Sequence, residues 1–196
     1  TLIAHGKRML EAAGSGNIHA FRAGSFAANR DTFEALIRND ILLDTSLNRC
    51  HAVSGPDLRD RHDFVDGFEV GGVATFPVSV FRDGFGHERP AQVGACAAAE
   101  LRQALTDAHR SRHENFIIVS HNFEMLKAGS SRPDWIVVRR FEQLCAFLAD
   151  HRTAFNVRGF AGPAPIAATR TDRGLPRVST QATAWRHLEQ AWRRIV

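Results

Sequence analysis

The sequence predicts an α/β fold in which parallel strands alternate with helices, and three observations carry that expectation. Phe116-Ile117-Ile118-Val119 is an apolar run rich in β-branching that passes directly into the polar cluster Ser120-His121-Asn122. Such a run reads as a strand buried on both faces, whose carboxyl end carries chemistry. Two earlier runs, 18–22 and 41–43, end in the same way, in Ala23-Gly24-Ser25 and in Asp44-Thr45-Ser46, with helical spacing between them. That order is a strand–helix–strand unit. Neither GxGxxG nor GxxxxGK[ST] occurs, so the phosphate loop of a doubly wound nucleotide binder is missing and a (β/α) barrel gains by elimination.

Taken in order, residues 2–13 place Leu2, Ile3, Met9, Leu10 and Ala13 near one helical face, and Gly14-Ser15-Gly16 stops that helix. Residues 18–22 read as a strand, with Ala23 to Phe26 as the loop at its carboxyl end. Asp31 followed by Glu34 is a capping-box signal for a second helix, which carries Phe33, Leu36 and Ile37 and runs to about Asn39. From 48 to 72 there are many charges, Gly55-Pro56 and no sustained period, the signature of a long surface loop of a kind that usually has a function. Residues 73–81 alternate as a strand, where Pro77 costs a ladder donor and points to an edge or a strand beginning.

A loop over 82–94 leads to a helix over 97–110 that turns Leu101, Ala104, Leu105 and Ala108 inward, and the 116–120 strand follows. Pro133 and Asp134 open a helix with Val137, Phe141, Leu144 and Leu148 on one face. Residues 156–160 are expected as the next strand and 161–180, with Pro163, Pro165 and Pro176, as a linker. Residues 181–196 put Trp185, Leu188, Trp192 and Ile195 on one face, which predicts a docked amphipathic helix.

Composition bounds the function. A chain of 196 residues with 44% hydrophobic residues supports one domain with a substantial core. The net charge of +4 comes from basic residues interleaved with 21 acidic ones rather than gathered in runs, which argues against nucleic acid as a partner. Only Lys7 and Lys127 are lysines, a bias toward arginine that speaks of codon usage more than of a binding surface. Cys50, Cys96 and Cys145 are widely spaced, as reduced, partly buried thiols are, and form neither a disulfide framework nor a zinc knuckle. No run approaches the ~20 apolar residues of a membrane span and no signal peptide opens the chain, so no membrane partner and a cytoplasmic setting are expected. The chain opens at Thr1 in a helix already under way, which hints that the natural protein extends upstream.

Ala20-Phe21-Arg22-Ala23-Gly24-Ser25-Phe26, residues 29–36, Leu43-Asp44-Thr45-Ser46-Leu47-Asn48, Phe76-Pro77-Val78-Ser79-Val80 and Val119-Ser120-His121 together resemble, in order and spacing, the polysaccharide deacetylase (NodB-homology) family. The resemblance covers about residues 2–160. It implies a deformed (β/α) barrel that hydrolyses acetyl groups on polysaccharides or other glycans with a divalent metal, commonly zinc. It also implies a catalytic aspartate, a metal-binding aspartate and a His-xxx-His metal pair ahead of the arginine motif. Residues 1–21 contain no Asp and no such His pair. The expected organisation is therefore 1–160 as the carboxyl-terminal part of such a barrel, partial and with no metal site of its own, then the linker 161–180 and the helix 181–196. The chain alone is expected to be inactive.

The resemblance implies roles for three residues. His121 matches the general acid that protonates the leaving amine, Arg22 matches the arginine whose planar fork holds the catalytic aspartate, and Asp44 matches a strand-end carboxylate that orients the histidine. All three are expected at one end of the sheet, facing one cleft. Alternatives stay open: Arg22 as a surface residue, Asp44 as an Asx turn beside Ser46, and a non-catalytic carbohydrate-binding or assembly module on the same fold. Trp185 and Trp192, at helical spacing with Leu188, read as core rather than as sugar-stacking platforms. Ala23 to Phe26 stands where many family members have Pro-Pro-Tyr-Gly, and Asn122-Phe123-Glu124 follows the histidine, so the subfamily is open. His109 and His113 have metal-pair spacing but sit at a helix end among arginines, where no metal is expected.

Overall fold

The computed structural model describes residues 2–59, 63–160 and 173–193. It divides into two compact units, Thr1–Val78 with Gly159–Asp172 and Ser79–Arg158 with Arg173–Val196. Among the described residues the strands form a four-stranded and a two-stranded sheet and close no barrel. No helix among them is long and apolar enough to cross a membrane.

The first unit is a mixed α/β layer. Its elements are α1 (Leu2–Ala12), β1 (Ala20–Phe21), α2 (Arg30–Ile37), β2 (Leu43–Asp44), β3 (Phe68–Val70) and β4 (Val73–Thr75). The sheet order is β1-β2-β4-β3, with β1, β2 and β4 parallel and β3 antiparallel to β4. As the strand–helix–strand reading requires, α2 connects two parallel neighbours, and β1 lies at the sheet edge. Phe33 and Leu36 of α2 pack against Leu47, Leu58, Phe64, Phe68 and Val73 to form the core. On α1 only part of the expected face is used, since Ile3 packs on that core while Leu2, Met9 and Leu10 are exposed.

Two local expectations are corrected here. The cap of α2 is Asn29 with Thr32, not Asp31 with Glu34: Asn29 Oδ1 accepts the Thr32 N–H at 3.0 Å, and the Thr32 hydroxyl accepts the Asn29 N–H at 3.3 Å. Asp31 instead lies in the first turn, where its charge suits the helix dipole. The stretch 48–72 is not loop throughout, because its end folds into β3. Gly71 and Gly72, at φ 59° and 93°, supply the two left-handed residues of the tight turn that pairs Val70 with Val73.

The second unit contains a hairpin of β5 (Val80–Arg82) and β6 (Glu88–Pro90), then α3 (Ala98–Arg110), α4 (Trp135–Asp150) and α5 (Thr180–Arg193). The one strand expected over 73–81 is therefore two, β4 and β5, parted around Pro77, which has no N–H for a ladder. Residues 116–120 are extended chain rather than a buried strand. They make a single-residue parallel bridge, Gln92 with Val119, and only Val119 of the apolar run is fully buried. Residues 156–160 form no strand. The core joins Phe81, Val93, Leu101, Ala104 and Leu105 to Val137 and Leu144, so α3 turns inward the residues its periodicity selects, while of the expected face of α4 Val137 and Leu144 are buried, Leu148 is half-buried and Phe141 is exposed.

The closing helix departs most from its apolar pattern. Trp185, Leu188 and Trp192 stand in solvent at 56%, 63% and 59% exposure, and Ile195 lies outside the described residues. The face that α5 buries is Ala182, Thr183 and Arg186. Arg186 spans two buried carboxylates, with Nη2 3.0 Å from Asp83 Oδ2 and Nε 3.0 Å from Glu100 Oε1. Arg193 pairs with Asp134 at 2.7 Å, and the buried Arg140 of α4 pairs with Glu189 of α5 at 2.7 Å. Gly84 admits α5, since a Cβ there would fall 2.3 Å from the Thr180 Cα, and its N–H donates to Thr183 Oγ1 at 2.9 Å. Of the expected linker, 161–172 lie outside the described residues. Pro176 and Val178 bond the backbone of Arg82 at 2.7 and 3.1 Å.

The carboxyl of Asp83 is held below its ordinary value. Burial alone would raise it, but the His87 and Phe85 N–H groups and the charges of His87 and Arg186 outweigh burial. A depressed carboxylate contributes stability above its unfolded value, and that stability is lost as pH falls through the folded value. Arg186→Met, which strands both carboxylates, should cost about 3–5 kcal/mol. Leu188→Ser on the exposed face should change stability by under ~0.5 kcal/mol. Urea unfolding at neutral pH measures both, and equal losses would mean that α5 is held by its apolar stripe after all.

Candidate functional site

The register of two parallel strands brings Arg22 and Asp44 together. Phe21 of β1 lies opposite Asp44 of β2, so the residues that follow emerge side by side at the same strand end. Arg22 Nη2 donates to Thr45 Oγ1 at 3.1 Å. Asp44 has 0% exposure, and donors from two strands surround its carboxylate. Oδ2 accepts the Ser46 N–H and the Thr75 hydroxyl, each at 2.9 Å, and Oδ1 accepts the Ser46 hydroxyl. Ser46 Oγ in turn accepts the Ala23 N–H at 2.8 Å. One carboxylate thereby ties together the ends of β1, β2 and β4, and its bond to the Ser46 N–H is the Asx turn weighed from the sequence.

Burial pushes the Asp44 carboxyl above its ordinary value, against the donors of Ser46 and Thr75 and the charge of Arg22. Partial burial likewise lowers Arg22, against the attraction of Asp44, and the guanidinium stays charged. The loop after Arg22 is strained. Ser25 and Phe26, neither of them glycine, take φ of 52° and 58°, a conformation that costs of order 1–3 kcal/mol per residue and clusters at functional sites. Phe26 rests on His51 with ring centroids 4.9 Å apart.

His121 belongs to the second unit, just past the extended chain 116–120, at the start of a 3₁₀ turn over Asn122–Met125. Its neighbour there is Glu124, with Nδ1 3.5 Å from Oε1, and its ring stacks on Phe123 at 5.0 Å. Gln92 Nε2 donates to the same Glu124 oxygen. Gly94 makes room for this carboxylate, since a Cβ at that position would stand 2.8 Å from Glu124 Cδ. His121 Nδ1 and Glu124 Oε2 are buried atoms with no hydrogen-bond partner among the described residues. An imidazole whose Nδ1 faces a carboxylate presents Nε2 for proton transfer. Glu124 is the site residue that sequence reasoning passed over as a departure from the family pattern. Its signal was the His-x-x-Glu spacing on a single turn.

The histidine pair at the end of α3 is engaged by protein groups. His109 meets Phe155 edge-on at 5.6 Å, and His113 Nε2 lies 3.1 Å from the Gly174 carbonyl oxygen. Among the described residues no three His, Cys, Asp or Glu side chains gather as a metal donor set. The residues at hand thus do not fit the divalent metal that the family resemblance implies. Cys96 is buried and its thiol is pushed up to about 11, chiefly by that burial, whereas Cys50 and Cys145 are exposed rather than partly buried. Comparison with known proteins finds no family model that matches the chain, no similar curated protein and no similar solved structure.

The Asp44 pKa has a signed consequence. A raised carboxyl means that the native state holds its proton more tightly than the unfolded chain does. The stability it contributes is therefore present below the ordinary value of 3.8 and lost as pH rises through the folded value. Asp44→Asn should flatten that limb of the stability curve. Asp44→Ala, which strands the donors of Ser46 and Thr75, should cost about 1–3 kcal/mol. Denaturant unfolding of the wild type and both variants from acid to neutral pH reads this, and equal slopes for wild type and Asp44→Asn would show that the carboxylate titrates as it does in water.

Proposed function

We propose that the chain is of the polysaccharide deacetylase type, part of a deformed (β/α) barrel of the kind that hydrolyses N- or O-acetyl groups on glycans, here without the aspartate and His-xxx-His motifs that the resemblance places ahead of Arg22. The observation that supports this reading is the register that sets Arg22 beside Asp44 at neighbouring parallel strand ends, ahead of a strained loop. In the proposed reaction water, losing its proton to the catalytic aspartate that the resemblance implies, attacks the acetyl carbonyl carbon, and the bond to the sugar nitrogen or oxygen breaks. His121 Nε2 gives its proton to the leaving amine or alkoxide, and acetate departs. Glu124 holds the imidazole with Nδ1 turned inward. Arg22 offers a planar fork to a carboxylate. Asp44, fully buried, touches no substrate and works by fixing the strand ends.

A second reading, a non-catalytic carbohydrate-binding module, is favoured by the exposed indoles of Trp185 and Trp192 and by Trp135, itself 63% exposed. Flat aromatic faces of this kind suit the apolar faces of sugar rings.

Calorimetric titration with N-acetylglucosamine oligomers and their de-N-acetylated counterparts, run beside an acetate-release assay with and without added zinc, separates the readings. Preference for the acetylated oligomer is expected of a deacetylase-type chain, and any acetate release should fall by about 10²–10⁴-fold on His121→Ala at unchanged affinity. Binding without release that disappears on Trp185→Ala or Trp192→Ala would identify the binding module. No affinity for either oligomer rejects both.

A further inference from the structure

The extended chain 116–120 of the second unit has two unlike edges. On one, the backbone is paired: Ser79 N–H donates to the Ile117 carbonyl at 3.0 Å, Val119 N–H to the Ala91 carbonyl at 2.9 Å, and Val93 N–H to the Val119 carbonyl at 3.0 Å. Ile117 N–H donates to Ser79 Oγ at 2.7 Å. Backbone groups of successive residues point to opposite edges of extended chain, so those of Phe116, Ile118 and Ser120 face the other way. There, among the described residues, they have no backbone hydrogen-bond partner.

This unpaired edge opens on a cavity of about 600 Å³. Its lining includes an apolar floor of Leu105 and Ala108 of α3 with Phe141, Leu144 and Leu148 of α4, and residues 154–158, which we take as the wall facing 116–120. On that wall Asn156, Val157 and Arg158 also lack backbone partners among the described residues. A slot with unpaired main chain on both sides and apolar side chains beneath calls for a particular occupant. Water would satisfy the edges but not the floor, and an apolar small molecule would cover the floor but leave N–H and C=O groups unmet. Only another extended backbone does both. Nothing blunts the edge either, since 116–119 carry neither the charge nor the proline with which exposed edges are normally protected. The rim is basic. It carries His109, His113 and Arg158 against Glu114, which Arg173 already pairs at 3.4 Å.

We propose that the slot is a strand-addition site. It accepts an extended segment of a partner polypeptide, apolar at alternate positions against the α3–α4 floor and acidic at the end beside Arg158. The site is independent of the glycan reading.

A synthetic peptide of about eight residues, alternating valine with threonine and ending in aspartate, is the probe, and amide hydrogen exchange of the whole chain is the readout. The peptide should slow exchange at Phe116, Ile118 and Ser120 by roughly tenfold or more, with Ile117 and Val119 unchanged. Ile118→Pro removes the middle donor of the open edge without breaking a hydrogen bond inside the chain, and should abolish that protection while the chain stays folded at a Tm lowered by the loss of the Ile118 side chain from the core. If that variant fails to fold, Val157→Asp, at an exposed wall position, should weaken the aspartate-ended peptide by about tenfold and spare a lysine-ended one. Absence of protection at the three amides overturns the proposal, as does peptide binding that survives both substitutions. Protection without peptide, accompanied by dimers in sedimentation, would mean that a second copy fills the slot, and would overturn it too.

Discussion

Strands two or three residues long leave more buried N–H and C=O groups than ladder bonds can pair, and every such group still needs a partner. Side chains supply the balance in both units. Ser46 takes the Ala23 N–H and Ser54 the Asn48 N–H in the first, while Ser79 takes the Ile117 N–H and Thr183 the Gly84 N–H in the second. A serine or threonine hydroxyl suits this duty because it accepts from a backbone N–H while donating elsewhere. Strand ends in this chain are consequently polar and buried at the same time, an arrangement that would be costly if any one partner were removed.

The candidate site grows out of that requirement. Asp44 is buried because Ser46 and Thr75 can satisfy it, and its charge then lies beside Arg22, whose own partial burial it offsets. Strain at Ser25 and Phe26 persists only because the neighbours on both sides are fixed, Ala23 by Ser46 and Phe26 by its contact with His51. In the second unit the order differs. There the imidazole of His121 faces an acid on its own turn, Glu124, at 3.5 Å, and a glycine from another segment, Gly94, leaves the room that this acid occupies.

What the sequence made legible follows from how local the signal is. The inward face of α3, the parallel order of β1 and β2, and the meeting of Arg22 with Asp44 all rest on spacing within one helix or on two matched apolar runs. The hairpin at Gly71-Gly72 was equally local and could have been read from its two glycines. By contrast, 116–120 has the composition of a buried strand, yet pairing and burial depend on neighbours that composition does not reveal, and one of its edges finds none among the described residues. Residues 156–160 fail as a strand for the same reason. Glu124 was obscured because its significance depends on Gly94, thirty positions away in sequence.

The arginine bias is more than the codon usage that composition suggested. Arg186 spans Asp83 and Glu100 from inside the core, and Arg140 reaches both Glu189 and the Gly94 carbonyl. A guanidinium can do this because its five donors lie in a rigid plane and it sheds water more readily than an ammonium does, so one side chain serves two acceptors at fixed angles where a lysine would serve one. This also explains why α5 reads backwards from its hydrophobicity. Its inward contacts are made by the buried Arg186 and the half-buried Glu189 and Arg193, residues that a periodicity of apolar side chains assigns to solvent, and its tryptophans are left outside. Where arginine pairs are the interior contacts of a helix, the apolar stripe ceases to mark the core and becomes the surface with affinity to spare.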